Sequence, residues 1–325
     1  MDNTSRRPSG EEPPQSRWAD LDGPVHYVDY GGPDAGPLLV LVHGLGGSLA
    51  SWAAIAPALA RTTRVLAIDL AGFGRSQGSG LSASLPANRD LLHRFLIQVA
   101  GRPAVLVGHS MGGTIAATQT SRNPETVAGL VLISPVVPWI RDELERRLDS
   151  AAATVSRAIK PGGASRCRAP GASEQLAGAT TRLSHAHESL LSARFLGQYL
   201  AVARERGWGR SPSTELITAG RSLTWTLLHR RQFTAMLSGI QTPVLWLHGD
   251  SDPLIPVAVA RDAARRKPTW SFQTARDIGH EPHREAPDWT AARIKAWLNT
   301  DAAVAADQAC AGNPPGGMPC RYRDT

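Results

Sequence analysis

Short apolar runs alternate with helix-like patterns over residues 25–135 and again over 241–299. Continuous apolar runs such as PLLVLVHG at 37–44 are typical of strands that are buried on both faces of a sheet. Strands that alternate with helices predict an α/β fold, with a mostly parallel central sheet and helices on both faces. The predicted strands are 25–30, 37–44, 64–70, 104–110, 129–135, 243–250 and 271–280, and the predicted helices are 51–60, 86–100, 111–123, 256–267 and 286–299.

The alternation stops over residues 136–240, which contain no convincing strand. Three helical stretches are predicted there instead, near 140–159, 185–205 and 213–237. An insertion after a strand of a parallel sheet lies at the carboxyl edge, where open α/β sheets bind their ligands. We therefore predict that 136–240 forms a helical lid over the functional site.

The two ends of the chain are predicted to be tails. Residues 1–17 lack apolar periodicity and are expected to be disordered. Residues 301–325 are rich in small residues, Gly and Pro, and are expected to be flexible. The predicted core then comprises 18–135 and 241–300. The start of the chain does not resemble a secretory signal, and no apolar run approaches the ~18 residues of a membrane span, so a cytoplasmic protein without stable membrane insertion is expected.

Composition narrows the classes of function. The formal net charge is +7, but the arginines are scattered and no aromatic side chains are interleaved with them. This pattern indicates a solvated surface and argues against nucleic-acid binding. The three cysteines, Cys167, Cys310 and Cys320, form neither a disulfide framework nor a zinc-ligand spacing. We expect a small-molecule substrate and no cofactor or metal.

One pentapeptide carries a candidate nucleophile. Gly108-His109-Ser110-Met111-Gly112 matches G-x-S-x-G and lies between the predicted strand 104–110 and the predicted helix 111–123. A sharp turn from strand to helix lifts the serine hydroxyl above the sheet. Larger side chains at the two outer positions would collide, which explains both glycines. Ser110 is therefore the predicted nucleophile.

A serine hydroxyl needs a base and an orienting carboxylate to react near neutral pH. After such a turn, the acid precedes the histidine along the chain. This order favours His280, in the loop after the last strand, while His283 is interpreted as a loop or helix-cap residue. Of the two candidate acids, Asp252 lies far enough past its strand to reach that loop, and Asp250 is better placed to cap the turn. As a metal site, His280 and His283 have no third ligand in view.

The oxyanion of an acyl-transfer intermediate needs two backbone N–H donors. Met111, which follows the nucleophile, is the first candidate donor. The glycine-rich loop 43–47 after the first buried strand supplies the second, and we assign it to Leu45. His43 in this loop is interpreted as a structural residue whose imidazole bonds to loop backbone.

Several motifs recur in a familiar order. They are HGLGGSLASW (43–52), DLAGFGRS (69–76), GHSMGG (108–113), GDSDPLIP (249–256) and GHEPHREAPD (279–288). Together they resemble the α/β-hydrolase superfamily, in the lid-containing group of serine esterases and lipases. The resemblance covers about 25–135 and 241–299, and it is more specific for fold and catalytic machinery than for substrate.

Departures from other branches narrow the chemistry that this resemblance implies. Haloalkane dehalogenases and epoxide hydrolases of this fold have Asp where Ser110 stands. Carbon–carbon bond hydrolases usually have Asn at the position of His109 and Trp where Glu281 stands. The resemblance therefore implies a carboxylic ester hydrolase. Its alternatives are an acyltransferase with the same triad and a slow, receptor-like hydrolase that mainly binds its ligand.

The predicted lid is expected to shape the substrate pocket. Its aromatic residues Trp139, Trp208 and Trp225 are candidates to line that pocket, although each could equally pack on the core. A pocket of this composition predicts an ester with a mainly apolar acyl or alkyl group.

Overall fold

The computed structural model describes residues 14–76, 81–137 and 212–302. Within these ranges the strands are β1 (Gln15–Asp20), β2 (Pro24–Gly31), β3 (Leu38–Val42), β4 (Arg64–Ile68), β5 (Ala104–His109), β6 (Val127–Ile133), β7 (Val244–Gly249) and β8 (Ser271–Ala275). They form one eight-stranded sheet in the order β1-β2-β4-β3-β5-β6-β7-β8. The first two strands are antiparallel to their neighbours, and all later pairs are parallel. The predicted α/β fold class is confirmed.

Helices of the described ranges cover both faces of this sheet. They are α1 (Ala56–Ala60), α2 (Leu85–Phe95), α3 (Met111–Arg122), α4 (Pro212–Leu228), α5 (Arg230–Ser238), α6 (Val257–Arg266), α7 (Pro282–Glu285) and α8 (Pro287–Trp297). Residues of α2, α3 and α6 pack with one face of the central strands, and residues of α1 and α8 pack with the other. Strands β3, β5 and β7 are buried along their whole length, which explains their continuous apolar sequence.

Some predicted helices are divided in the structure. The predicted helix 51–60 consists of a 3₁₀ turn at Leu49–Trp52 followed by α1, which carries a proline in its first turn. The predicted helix 213–237 is α4 and α5, which are separated at His229, where the backbone leaves the helical region. The periodicity of apolar positions does not register such local interruptions.

The N-terminal prediction is wrong for residues 15–17, because β1 begins at Gln15. This strand is almost entirely exposed, and it pairs with β2 through a tight connection at Asp22, which has a φ of 62°. A strand held mainly by backbone pairing at the edge of a sheet leaves little apolar pattern in its sequence. The last predicted strand is also shorter than expected, since the chain turns at Asp277 with a φ of 57°.

Much of the predicted lid lies outside the described residues. This applies to the predicted helices near 140–159 and 185–205, and also to Trp139 and Trp208. Among the helices that are described, none has both the length and the apolar character needed to cross a membrane. The lid boundaries 136–240 stay a prediction.

Candidate active site

Ser110 lies at the junction between β5 and α3. Its backbone has a φ of 52° and a ψ of −118°, a conformation that costs energy in a residue with a side chain. Its N–H donates to the Ile133 carbonyl oxygen at 3.0 Å, which ties the turn to the neighbouring strand. A Cβ at Gly108 would lie 2.6 Å from the Gly112 carbonyl oxygen, and one at Gly112 would lie 2.3 Å from the Val42 carbonyl oxygen. The two glycines are therefore required by the close packing of the turn.

The structure brings Ser110, His280 and Asp252 together. His280 Nε2 lies 3.0 Å from Ser110 Oγ, and His280 Nδ1 lies 2.8 Å from Asp252 Oδ2. All three side chains are buried. Because the carboxylate can only accept, Nδ1–H donates to Asp252 and leaves Nε2 to accept the serine proton. This is the geometry that a nucleophile, a base and an orienting acid require.

The two candidate acids have different surroundings. Asp250 Oδ1 accepts from the Asp277 N–H at 2.7 Å and from the Ser251 hydroxyl at 3.1 Å, so it stabilises the turns on either side. Asp252 Oδ1 instead accepts the Leu254 and Ile255 N–H groups at 2.8 and 2.9 Å, which leaves Oδ2 facing His280. The geometry favours Asp252 as the partner of the histidine.

The charges of this pair reinforce each other. Burial opposes ionisation of Asp252, but the charge and hydrogen bond of His280, together with His248 and the Ile255 N–H, hold the pKa of Asp252 below its usual value. Burial likewise disfavours the His280 cation, yet the charge and hydrogen bond of Asp252, followed by the nearby glutamates, raise the pKa of His280. The arrangement therefore favours proton uptake by His280.

Two backbone segments flank the Ser110 hydroxyl. Met111 is the first residue of α3, so its N–H has no partner within the helix. On the other side, a Cβ at Gly44 would lie only 3.2 Å from Ser110 Cβ, which places the loop carrying Leu45 directly beside the serine. The two segments that carry the predicted donors therefore both flank the nucleophile.

His43 is fully buried and bonds to loop backbone at both ring nitrogens. Nδ1 lies 2.8 Å from the Gly44 carbonyl oxygen, and Nε2 accepts the Leu70 N–H at 3.0 Å. This contact pattern requires the proton on Nδ1. The observed role of His43 agrees with its interpretation from the sequence.

Glu285 holds the backbone around His280, and sequence reasoning missed it. One carboxylate oxygen accepts the Gly279 N–H at 2.8 Å and the other accepts the Glu281 N–H at 2.9 Å. A single side chain thereby fixes the residues before and after His280. The only signal in the sequence is an acidic residue a few positions beyond the histidine, a pattern too common to be informative.

A buried cluster of potential metal ligands was also missed. Ligand atoms of His109, Glu281 and His283 lie within 4.8 Å of one another. From the sequence, only His280 with His283 was considered as a metal site, and His280 is not a member of this cluster. Glu281 is paired with Arg284 at 3.0 Å, and His109 Nε2 lies 3.0 Å from the His280 carbonyl oxygen. Burial and the nearby His280 hold the pKa of His109 well below its usual value. Because Glu281 and His109 are engaged in these contacts, the cluster supports the histidine loop.

The pocket predictions receive little support from the described part of the lid. Trp225 is 57% exposed, and its ring stacks on His229 at a centroid distance of 3.8 Å, so no pocket of the described residues encloses it. The start of α4 is closer to the site, because the Leu216 side chain would lie 3.6 Å from a Cβ at Gly46. The lid segment therefore reaches the nucleophile's surroundings through the first turns of α4.

A second serine also contacts a histidine–aspartate pair. Ser16 Oγ lies 2.7 Å from His26 Nε2, and His26 Nδ1 lies 2.7 Å from Asp69 Oδ2. Ser16 is exposed within the edge strand β1 and has ordinary strand pairing, unlike Ser110 at its strand-to-helix turn. This second array provides a matched internal control for the first.

Comparisons with known proteins identify the family of this chain. The family model described as alpha/beta hydrolase fold matches residues 37–287. The chain is 29% identical to the pimeloyl-[acyl-carrier protein] methyl ester esterase of Aromatoleum aromaticum over 80% of the chain and 97% of that protein. It is 29% identical to the dihydrolipoyllysine-residue acetyltransferase component of the acetoin cleaving system of Cupriavidus necator over 83% of the chain, but spans only 65% of that relative. A protein assigned as a lipase from Acinetobacter baumannii superposes with a TM-score of 0.71 at 22% identity, covering 88% of this chain and 91% of that one, which shows the fold.

Proposed function

Because the chain belongs to the α/β-hydrolase fold family, we propose that it hydrolyses carboxylic esters through an acyl-enzyme intermediate on Ser110. His280 is the general base and acid, and Asp252 orients it. The observation that carries this proposal is the continuous contact from Ser110 Oγ through the His280 ring to Asp252 Oδ2, at 3.0 and 2.8 Å.

In the acylation step, Ser110 Oγ attacks the ester carbonyl carbon and transfers its proton to His280 Nε2. The carbonyl oxygen becomes an oxyanion that accepts hydrogen bonds from the backbone N–H groups of Met111 and Leu45. When this intermediate collapses, the bond from carbon to the alcohol oxygen breaks. His280 then gives its proton to the departing alcohol.

In the deacylation step, a water molecule takes the place of the alcohol. His280 removes one of its protons while the water oxygen attacks the acyl carbon, and the same two N–H groups stabilise the second oxyanion. The bond between the acyl carbon and Ser110 Oγ breaks, and the proton returns to the serine. A free carboxylic acid leaves, and the enzyme is regenerated.

The choice of an ester with a mainly apolar acyl or alkyl group rests on two observations. One is the aromatic content of the inserted segment, which includes Trp139 and Trp208. The other is the relative from Aromatoleum aromaticum, whose name describes a methyl ester esterase and which is matched over nearly its whole length. Apolar side chains that line a pocket favour apolar substrate groups, which is the role proposed for these tryptophans.

Acyl transfer to an acceptor other than water is the second candidate. It is favoured by the similarity to an acetyltransferase component, of which this chain covers less than two thirds. Both candidates share the acyl-Ser110 intermediate and differ only in the second nucleophile. Incubation with an ester and added alcohols or thiols distinguishes them, since hydrolysis yields only the acid and transfer yields a new ester or thioester.

The proposed function is tested with p-nitrophenyl esters of graded acyl length. We expect turnover that increases from acetyl to a longer acyl chain and that is lost in Ser110→Ala. A protein that cleaves none of these esters, and whose Ser110 is not labelled by a fluorophosphonate, is not an ester hydrolase. Labelling with negligible turnover would instead support the slow, receptor-like alternative.

A further inference from the structure

His248 is a buried histidine that the mechanism above does not use. It lies on β7 four residues before Asp252, and its side chain is fully inaccessible to solvent. Its Nε2 lies 2.7 Å from the Ile255 carbonyl oxygen and 3.4 Å from Asp252 Oδ2. A second imidazole therefore faces the same carboxylate oxygen that His280 contacts.

Trp246 determines which nitrogen of His248 carries the proton. The Trp246 Nε1–H donates to His248 Nδ1 at 3.3 Å, and an indole N–H can only donate. Nδ1 must therefore accept, so the proton of the neutral ring is on Nε2. From there it is directed at the Ile255 carbonyl oxygen, with Asp252 Oδ2 as a more distant second acceptor.

These contacts fix the loop that carries the candidate acid. The carbonyl of Ile255 is bound by His248, while the N–H of Ile255 donates to Asp252 Oδ1 at 2.9 Å. Asp252 therefore has one oxygen held by backbone donors, while the other contacts His280 at 2.8 Å and lies 3.4 Å from His248. Rotation of the carboxylate away from His280 would break bonds on both sides.

The neutral state of His248 matters for the charge balance. A doubly protonated His248 would direct an N–H of Nδ1 against the Trp246 N–H, and it would place a second cation beside Asp252. The titratable groups that act on it are Asp252 and His280, and burial is the largest of the influences that lower its pKa. With His248 neutral, His280 is the one charged partner of the Asp252 carboxylate among the residues that the structure describes.

We propose that Trp246 and His248 form a neutral relay that positions Asp252 for His280, with His248 as a positioning residue held in its Nε2–H tautomer. The inference rests on the proposed function, in which Asp252 orients the base. It assigns a role to two buried residues of β7 that never contact the substrate. Loss of the relay should slow the chemical step without weakening substrate binding.

The tautomer is tested first by NMR of the full chain with ¹⁵N-labelled histidine. We expect His248 to show the neutral Nε2–H form across about pH 5–8, the range in which ordinary histidines titrate. In Trp246→Phe, the ring should gain a second proton at the acid end of this range. Trp270→Phe is the matched control. The ring centroids of Trp270 and Trp246 are 6.3 Å apart, and both substitutions replace an indole by a phenyl ring. A cationic or Nδ1–H His248 in the wild-type protein would overturn the proposal.

The positioning role is tested with two substitutions of His248. His248→Leu removes the Nε2–H donor, and we expect kcat to fall by about 10- to 100-fold with little change in KM, as for a slightly misplaced catalytic group. His248→Gln retains an N–H donor near the Nε2 position and should keep most of the activity. The acid limb of the pH–rate profile should move to lower pH in the leucine variant, because a carboxylate that is no longer held against His280 stabilises the His280 cation less.

The outcomes separate this inference from the proposed function. If His248→Leu folds and keeps both the wild-type kcat and the wild-type acid limb, the positioning role is wrong even though the enzyme is active. If Ser110 proves unreactive, the ester hydrolase proposal fails, while the NMR result still decides the tautomer. If His248→Leu does not fold, the proposal is tested with His248→Gln and Trp246→Phe.

Discussion

His280 Nε2 lies 3.0 Å from Ser110 Oγ, although 170 residues separate them along the chain. Ser110 follows β5, and His280 lies in the loop after β8, three strands away in the sheet. The contact exists because β5 to β8 are parallel, so the loops after these strands all emerge at one edge. Asp252 follows β7, which lies between β5 and β8 in the sheet, so it reaches the same edge.

Replacement of Ser110 and of Ser16 should have different effects on activity, although both serines contact a histidine–aspartate pair. Ser110→Ala should lower kcat by about 10⁶-fold, because the nucleophile of a triad is lost. Ser16→Ala should retain wild-type kcat, since Ser16 lies within an edge strand rather than at a helix N-terminus. Steady-state kinetics on a p-nitrophenyl ester measures both. Equal losses in the two variants would refute the assignment of Ser110.

The pH dependence of kcat/KM should show an acid limb with its midpoint above 6.5, the ordinary histidine value. His280 must be neutral to accept the serine proton, and the charge and hydrogen bond of Asp252 outweigh burial to raise the pKa of His280. Protonation therefore stops the reaction at a higher pH than for an ordinary histidine.

Asp252→Asn tests whether the Asp252 carboxylate raises the pKa of His280 and so sets the position of the acid limb. The substitution removes the charge that stabilises the His280 cation, so burial should dominate and the limb should move to lower pH. The expected loss in kcat is about 10⁴-fold, because the histidine also loses its correct tautomer. Asp250→Asn is the matched control and should leave the limb in place. A limb that is identical in wild type and Asp252→Asn would show that this carboxylate does not act on His280.

Gly44→Ala should impair the predicted oxyanion donor at Leu45. The new Cβ would lie 2.8 Å from His109 Nδ1 and 3.2 Å from Ser110 Cβ, so the loop or the His109 ring must shift, which disturbs the geometry beside the nucleophile. Loss of one donor is expected to lower kcat by about 10²- to 10³-fold. Gly220→Ala in α4, where a Cβ would have no neighbour within 4 Å, controls for the substitution itself. Unchanged kcat in Gly44→Ala would argue against this loop as part of the oxyanion hole.

His43→Ala should destabilise the fold, as expected of a structural residue. It leaves the buried Leu70 N–H without its acceptor, and such a loss costs about 1–3 kcal/mol before any cavity is counted. Urea unfolding measures the change in the free energy of unfolding. His229→Ala, at the junction of α4 and α5, is the comparison and should cost less. Wild-type stability in His43→Ala would show that the Leu70 contact contributes nothing.

Site residues were easiest to predict from the sequence where the chemistry or the backbone geometry allows few residue types at a position. The turn around Ser110 was predictable because two glycines, a buried strand and a small-residue helix each restrict it independently. The partners Asp252 and His280 followed from their place after successive strands, since parallel strands deliver their loops to one edge. The family and the α/β fold were predicted from the same motifs.

Residues that act through hydrogen bonds across the fold were not predictable. Glu285 and His248 reach the site only because of how their loops and strand are packed, and neither belongs to a pattern with a chemical meaning of its own. The strand β1 was missed for a different reason: backbone pairing at a sheet edge requires no apolar side chains. Trp225 was assigned by residue type alone, and the structure places it largely in solvent.

The covalent site of a fluorophosphonate probe tests the central claim most directly. The wild-type protein and Ser16→Ala should each gain the mass of one probe, and peptide mapping should place it on Ser110. The Ser110→Ala variant should gain none under the same conditions. A wild-type adduct on any other residue, or labelling that persists in Ser110→Ala, would contradict the claim that Ser110 is the hydroxyl activated by His280 and Asp252.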